Sequence, residues 1–391
     1  MRLAIAGGGI GGLVLALALR ERGIATEVYE QAEALREIGA AVALSANATR
    51  ELRRLGLDAA IASASVTPTA LNIRRWNSGE LIADHPMGRE GIYESRFGAP
   101  YYGVHRVALL QSLADKLDGE GLHLGRRIVA VEETSQGAEL HFADGGCIEA
   151  DLVVGADGVH SVVRRLVVGE LGARYSGTVG YRGIVDTERI PSLPEPLAIQ
   201  FWAGPGRHLL HYAIDGGKRV NFLAVVRQPQ WSDAAWVQDC PVADVVSAFA
   251  GWHPAVTEMV SGTESGARWA LHELEPLERW HSRHAVLLGD AAHAMVPHQG
   301  QGANQTIEDA IVLADCLAEA TGDELLTALD RYAALRRART AKVQALSSRT
   351  AEMLHLADGP ELEARDASLQ DLYGKLEWIH GYDAGAARQP A

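Results

Sequence analysis

The chain opens on a short apolar run, Leu3 to Ala6, that enters Gly7-Gly8-Gly9-Ile10-Gly11-Gly12 and then continues apolar from Leu13 to Leu19. Few folds accept such a string. In Gly7-x-Gly9-x-x-Gly12 the first glycine makes a tight turn, the second lets backbone approach a pyrophosphate, and the third lets a helix pack on a strand. Gly11 belongs to the same turn. The helix that follows is apolar on almost every side, which predicts full burial, and the charged stretch Arg20 to Gly23 ends it on a C-terminal glycine. Ala25 to Glu30 reads as a second strand, so the opening is a βαβ unit. Glu30 stands about 20 residues beyond the glycines, where a carboxylate accepts the hydroxyls of an adenosine ribose. The helix N-terminus offers unpaired N–H groups and a positive dipole to phosphates. A dinucleotide site follows from these features together.

The same run has the outline of a secretory leader, Arg2 followed by apolar residues and Ala16-Leu17-Ala18. Its glycines would weaken a leader helix, and its length of about 17 residues falls short of the ~20 needed to span a bilayer, so neither reading is adopted. The 391 residues suggest two domains at ~150 residues each. Fifty acidic against 36 basic side chains leave a formal charge of −14, which argues against a nucleic-acid footprint or an anionic membrane partner. Cys147, Cys240 and Cys316 are far apart and outside any CxxC spacing. They suggest neither a disulfide framework nor a zinc site, and the expected compartment is the reducing cytoplasm.

Further along, a charged helix is predicted over Arg106–Leu117, alternating strands over Ile128–Glu132 and Ala138–Phe142, and an apolar strand over Leu152–Val154 entering Gly155-Ala156-Asp157-Gly158. From about Gly177 to Arg227 the pattern changes to short alternating strands, broken by Pro191, Pro194, Pro196 and two glycine turns, which predicts an inserted antiparallel sheet. An apolar strand returns at Ala285–Leu288 before Gly289-Asp290, a glycine loop to Gly302 and a helix through Leu317; the remainder reads as helical and charged. The expected division is 1–175 as the first part of a dinucleotide-binding domain, 176–270 as a substrate-binding sheet, 271–345 as the second part, and 346–391 as a helical segment and tail. The fold class is α/β.

Three strand-end sites thus follow in the order GxGxxG, Asp157-Gly158, Gly289-Asp290. Over residues 1 to about 345 this order resembles the group A flavoprotein monooxygenases, the FAD-dependent aromatic hydroxylases of the para-hydroxybenzoate hydroxylase fold. Within them the chain is most similar to the salicylate, 3-hydroxybenzoate and 6-hydroxynicotinate hydroxylases. The resemblance implies that Asp290 contacts the ribityl chain of FAD, that Asp157 and Gly158 serve FAD and the nicotinamide donor, that Glu30 holds the adenosine ribose, and that Arg36 and Arg106 line FAD. No second GxGxxG exists, so NADH or NADPH is expected to bind transiently, with O2 as co-substrate.

The loop Pro297-His298-Gln299-Gly300-Gln301-Gly302-Ala303-Asn304 has its own physical reading. Glycines allow backbone close to a flat ring, and the following helix aims its positive end there, which stabilises negative charge on a reduced flavin. On the predicted strand Arg207–Tyr212, residues 208, 210 and 212 share one face and His211 the other. The resemblance implies that His208 and Tyr212 touch the aromatic substrate, with His298 a pocket residue; His211 and His293 read as structural. Ala43 stands where relatives often carry a polar pocket residue, and Arg182 fits either a substrate carboxylate or a surface ion pair.

The reading is an NAD(P)H- and O2-dependent hydroxylase of a phenolic or hydroxypyridine ring, acting through a flavin C4a-hydroperoxide. His208 takes the phenolic proton directly or through Tyr212, since an ordinary histidine pKa of ~6.5 suits a base near neutral pH. The small aromatic substrate is the expected partner and the chain a monomer or homodimer, with no metal. A flavin reductase or dehydrogenase of the same fold, and a non-enzymatic FAD-binding regulatory module, are the alternatives.

Overall fold

The computed structural model describes residues 1–35, 41–231, 235–263, 266–320 and 324–386. Strand Leu3–Ala6 lies at the centre of a five-stranded parallel sheet, between Thr26–Tyr29 and Leu152–Gly155, with Leu122–His123 and Ala285–Leu287 at the edges. All four residues of the central strand are buried, as expected where helices cover both faces of a parallel sheet. Helix Ile10–Glu21 is buried from Ile10 through Leu19, which explains why its sequence carries no polar stripe. It packs on helix Gly302–Glu319, and Gly11 makes the approach possible. A Cβ at Gly11 would lie 2.4 Å from Thr306 Cγ2 and 2.5 Å from Leu288 Cδ2.

The second sheet has eight strands among the described residues, in the order Val237–Asp239, Ala267–Glu273, Arg174–Asp186, Arg219–Arg227, Arg207–Ile214, Ile199–Gly204, Ala70–Arg75, Leu81–Pro86. The α/β class with a Rossmann-type sheet and a separate, largely antiparallel one is as the sequence suggests. Three details differ. Strands Ala70–Arg75 and Leu81–Pro86 lie inside the stretch read as dinucleotide-binding, yet they complete the second sheet, so 1–175 is not of one kind throughout. Ile199–Gly204 pairs in parallel with Ala70–Arg75, the one parallel junction among the described strands of that sheet. The strands are also longer than expected, Arg174–Asp186 reaching 13 residues. Pro191, Pro194 and Pro196 fall in the connection before Ile199 and punctuate one loop rather than several strands.

Strand Arg207–Ile214 alternates cleanly between two cores. Leu209 packs with Trp202, Phe222 and the helices Val242–Ala248 and Pro254–Ser261, whereas Leu210, Tyr212 and Ile214 pack with Tyr93, Phe97, Tyr101, Leu369 and Tyr373 on the opposite face. Each buried aromatic or leucine here contributes about 1.5–3 kcal/mol by leaving water. The expected boundary at residue 345 is overrun by helix Leu325–Leu354, whose 30 residues contain no glycine or proline to end it. Tyr332 donates to the Leu287 carbonyl at 3.0 Å, and Gln344 donates to the carbonyls of Leu274 and Ala294 at 2.9 and 3.2 Å. Ser348 on the same helix donates to Glu273, which ends strand Ala267–Glu273 of the second sheet, at 2.7 Å, so the helix contacts both sheets. Helices Pro360–Ser368 and Leu372–His380 then fold back beside the second sheet.

Candidate active site

Three cavities adjoin between the two sheets. The first, about 630 Å³, is lined by Gly7, Gly9, Glu30, Asp157 and Gly158. A second, about 330 Å³, shares Gly9, Arg106, Ala156 and Gly158 with it, and adds Gly11, Asp290, Pro297, Gly300, Gly302 and Ala303. A third, about 550 Å³, shares Ala43, Leu210, Tyr212 and Gly300 with the second; its inner wall includes Leu71, Ile73, Tyr101, Ile199, Phe201 and His298. A groove therefore runs from the first strand to Gly300 and shares a wall with an apolar chamber.

The groove suits a dinucleotide. Nothing lies within 4 Å of the point a Cβ on Gly9 would occupy, and the same holds at Gly158, so backbone is open to a ligand at both. Gly9 is also the N-cap of helix Ile10–Glu21, with no side-chain cap and no acid in the first turn, which leaves N–H groups for phosphate. Gly12 instead serves packing, since its Cβ would lie 2.0 Å from the Gly7 carbonyl oxygen, and Gly7 sits at φ +106° against Ala156. The Glu30 carboxylate is oriented by backbone, accepting from the N–H of Gly8 at 2.7 Å and of Ala32 at 2.8 Å. Asp157 accepts from Val162 and Val163 at 2.7 and 3.2 Å, capping the next helix, while its Oδ1 is buried without a partner. Burial raises its pKa against those bonds. Arg36 lies outside the described residues.

Helix Gly302–Glu319 begins at the second cavity with no side-chain cap, so its first N–H groups and dipole face the space beside Pro297 and Gly300. Asn304 lines none of the cavities. It holds the loop, accepting from Ser45 N–H at 2.9 Å and donating to the carbonyls of Ala43 and Gly300 at 3.0 and 2.7 Å. Behind it, Asn47, Gln301, Gln305 and Glu308 form a buried network that ends on Arg336, which pairs with Glu308 at 2.5 Å and Asp309 at 2.6 Å. Sequence reading did not find this network, because its members are scattered from 47 to 336.

The catalytic candidates separate. Tyr212 faces both the groove and the chamber, and His298 faces the chamber. His208, expected to touch substrate, lines none of the cavities. It lies behind His298, ring centroids 5.1 Å apart, and its Nδ1 is 2.8 Å from Nε2 of His355. Burial, with its two histidine neighbours, holds His208 well below the usual histidine range; burial likewise brings His298 to about 3 and His355 to about 4. The Nδ1 of His298 is buried without a partner. His355, which the sequence reading missed, sits where the long helix ends, and no local pattern marks it. Of the two histidines set aside as structural, His293 pairs with Asp309 at 2.5 Å and His211 is buried on the other face of its strand. Arg182 lines the groove rather than the chamber and lies 5.7 Å over the Trp269 ring.

Residues 1–347 match the family described as FAD binding domain. The chain belongs to that family. It is 40% identical over 387 residues to the 3-amino-4-hydroxybenzoate 2-monooxygenase of Streptomyces cremeus, covering 98% of this chain and 96% of that one. It is 33% identical over 350 residues to the 6-hydroxynicotinate 3-monooxygenase of Pseudomonas fluorescens, covering 88% and 90%. A solved salicylate hydroxylase substrate complex superposes with a TM-score of 0.85 at 30% identity, covering 100% of this chain and 98% of that one. This flavoprotein is an FAD-dependent aromatic hydroxylase that uses NAD(P)H and O2. Among the described residues no helix is long and apolar enough to cross a membrane, and no cluster of side chains could hold a metal.

Proposed function

We propose that this flavoprotein hydroxylates a benzoate bearing a phenolic hydroxyl, with 3-amino-4-hydroxybenzoate the first acid to test. The observation that carries the reading is the shared wall of groove and chamber. Ala43, Leu210, Tyr212 and Gly300 border both, so a ring in the chamber lies next to the flavin end of the groove. The choice of acid rests on the likeness to the Streptomyces cremeus enzyme.

When bound, FAD supplies the redox chemistry, taking hydride from NADH or NADPH and activating O2 for insertion into the ring. The chain binds, orients and excludes water. Gly7, Gly9, Gly11, Gly12 and Glu30 shape and line the adenosine and pyrophosphate end; Asp157 shapes the turn at Gly158; Arg106 and Gly158 border the junction; Asp290, Pro297, Gly300, Gly302 and Ala303 surround the ring end. Asn304 acts by holding that loop. The apolar chamber walls keep water from the reacting atoms. His298 lines the chamber as a neutral ring whose unpartnered Nδ1 can accept a hydrogen bond from the phenolic hydroxyl, with Tyr212 beside the ring and His208 behind as the positioning residue. The three thiols, two of them buried, fit a reducing cytoplasm.

The test is aerobic NADH and NADPH oxidation by FAD-loaded enzyme with 3-amino-4-hydroxybenzoate, 6-hydroxynicotinate, 3-hydroxybenzoate and salicylate, with hydrogen peroxide counted and products weighed by mass spectrometry. Stimulation by the first acid, a product heavier by one oxygen and little peroxide are expected. Basal oxidation with every acid, or peroxide equal to cofactor consumed, would overturn the proposal.

A further inference from the structure

The chamber reaches solvent beneath the C-terminal helices, and the side chains at that mouth are unlike those inside. Of the described residues lining the chamber, the exposed ones are Lys342, Ala345, Arg349 and Lys375, and no aspartate or glutamate is among its lining. Three exposed cations without a carboxylate are out of keeping with a chain of formal charge −14. Their placement follows from helix geometry. Lys342, Ala345, Leu346, Arg349 and Met353 repeat at three- and four-residue intervals, which puts them on one face of Leu325–Leu354 above the chamber.

Among the described residues that line the mouth, every ionised side chain is basic. Buried Arg365, also on the wall, is paired with Asp366 at 2.6 Å, and Asp366 is shared with Arg75 at 2.9 Å, so that cluster has no negative charge to spare. Lys342 Nζ lies 4.0 Å over the Trp378 ring, and Lys375 donates to the Ser368 carbonyl; neither contact neutralises a charge. Arg349 forms no ion pair or hydrogen bond among the described residues.

We infer that Lys342, Arg349 and Lys375 form an electrostatic entrance that captures aromatic carboxylates and feeds them into the apolar chamber. The inference deepens the function proposed above and rests on it for the chamber's being the substrate site. A low-dielectric cavity ringed by one sign of charge focuses the field and raises association rates by about 10- to 1,000-fold, an effect that salt screens. These cations therefore act on capture and not on the chemical step.

The experiment uses FAD-loaded enzyme with benzoate and benzamide as probes, their association followed by stopped-flow perturbation of the flavin absorbance, so that neither needs to be turned over. Benzoate association is expected to fall about tenfold between low and near-molar salt, and by a similar factor in Lys342→Glu/Arg349→Glu, with benzamide unaffected by either change. Lys342→Ala and Arg349→Ala give smaller losses in the same direction and serve if the reversed pair fails to fold. Benzoate association as insensitive as that of benzamide to both salt and substitution would overturn the entrance. Absence of any hydroxylated product, with the salt-dependent capture intact, would instead overturn the reading of function.

Discussion

Nδ1 of His208 lies 2.8 Å from Nε2 of His355, tying a strand in the middle of the second sheet to the residue that ends the longest helix. Burial holds both rings neutral, so each carries one N–H, and at this contact one nitrogen donates and the other accepts. The tautomers of the two rings are therefore coupled, since whichever nitrogen at the contact carries the proton, the other must accept it. His355→Leu leaves a buried nitrogen of His208 unpaired and is expected to cost about 1–3 kcal/mol of stability and to slow hydroxylation. His355→Gln, which can still donate or accept, recovers most of both. Thermal melts and the rate of product formation read the pair; equal behaviour of Leu and Gln would show that the hydrogen bond does not matter.

The glycines divide by what a methyl group would meet. Gly12→Ala drives a Cβ to 2.0 Å from a backbone oxygen, so the apoprotein itself is expected to melt lower and retain little flavin. At Gly9 a Cβ meets nothing of the protein. Gly9→Ala should leave the apoprotein melt unchanged while weakening FAD, because the methyl enters the space reserved for pyrophosphate. Flavin-to-protein absorbance ratios alongside apoprotein melts separate the two, and full flavin retention by Gly9→Ala would place the pyrophosphate elsewhere.

Buried histidines make the fold acid-sensitive. Burial, assisted by Arg74, lowers the pKa of His211 from 6.5 to about 3, and both of its ring nitrogens are buried without partners. The unfolded chain therefore binds a proton that the folded chain refuses, so this stability is complete above about pH 7 and is lost as pH falls. For His211 alone the loss between about pH 7.5 and pH 5 is about 2 kcal/mol. His298 and His380, each at about 3, and His355 at about 4 act in the same direction. Urea midpoints measured across that range should decline steeply in the wild type and less in His211→Leu. Parallel declines would mean that His211 is not a source of the slope.

Arg336 is fully buried between Glu308 and Asp309, and its loss leaves these two core carboxylates with Arg339 and His293 as their remaining ion-pair partners. Arg336→Met is expected to cost about 3–5 kcal/mol. Because Glu308 also bonds Asn47 and Asn47 bonds Gln301, the loop bearing Gly300 and Gly302 loosens with it. Denaturation midpoints and flavin affinity should fall together; a stable variant with weakened flavin would mean that the network acts on the loop alone.

Much was legible in the residues themselves. The glycine string, the acid ending the second strand and the apolar run after Gly12 are local patterns, and turn sterics and burial periodicity translate them directly into a βαβ unit. Period-two alternation likewise put positions 208, 210 and 212 on one face, and Leu210 and Tyr212 do share a core that Leu209 does not. What the sequence by itself determined was the class of fold, the dinucleotide groove and, through the family resemblance that the three motifs carry, the expectation of hydroxylase chemistry. Only the tertiary structure decided that Ala70–Arg75 joins Ile199–Gly204, that His298 rather than His208 faces the chamber, that His355 completes the histidine contact, and that Lys342, Arg349 and Lys375 gather at one mouth. Such facts join residues more than a hundred positions apart or on different elements, and no local propensity encodes them. They are settled when sheets and helices bury their apolar faces against one another, and side chains take the neighbours that this packing leaves them.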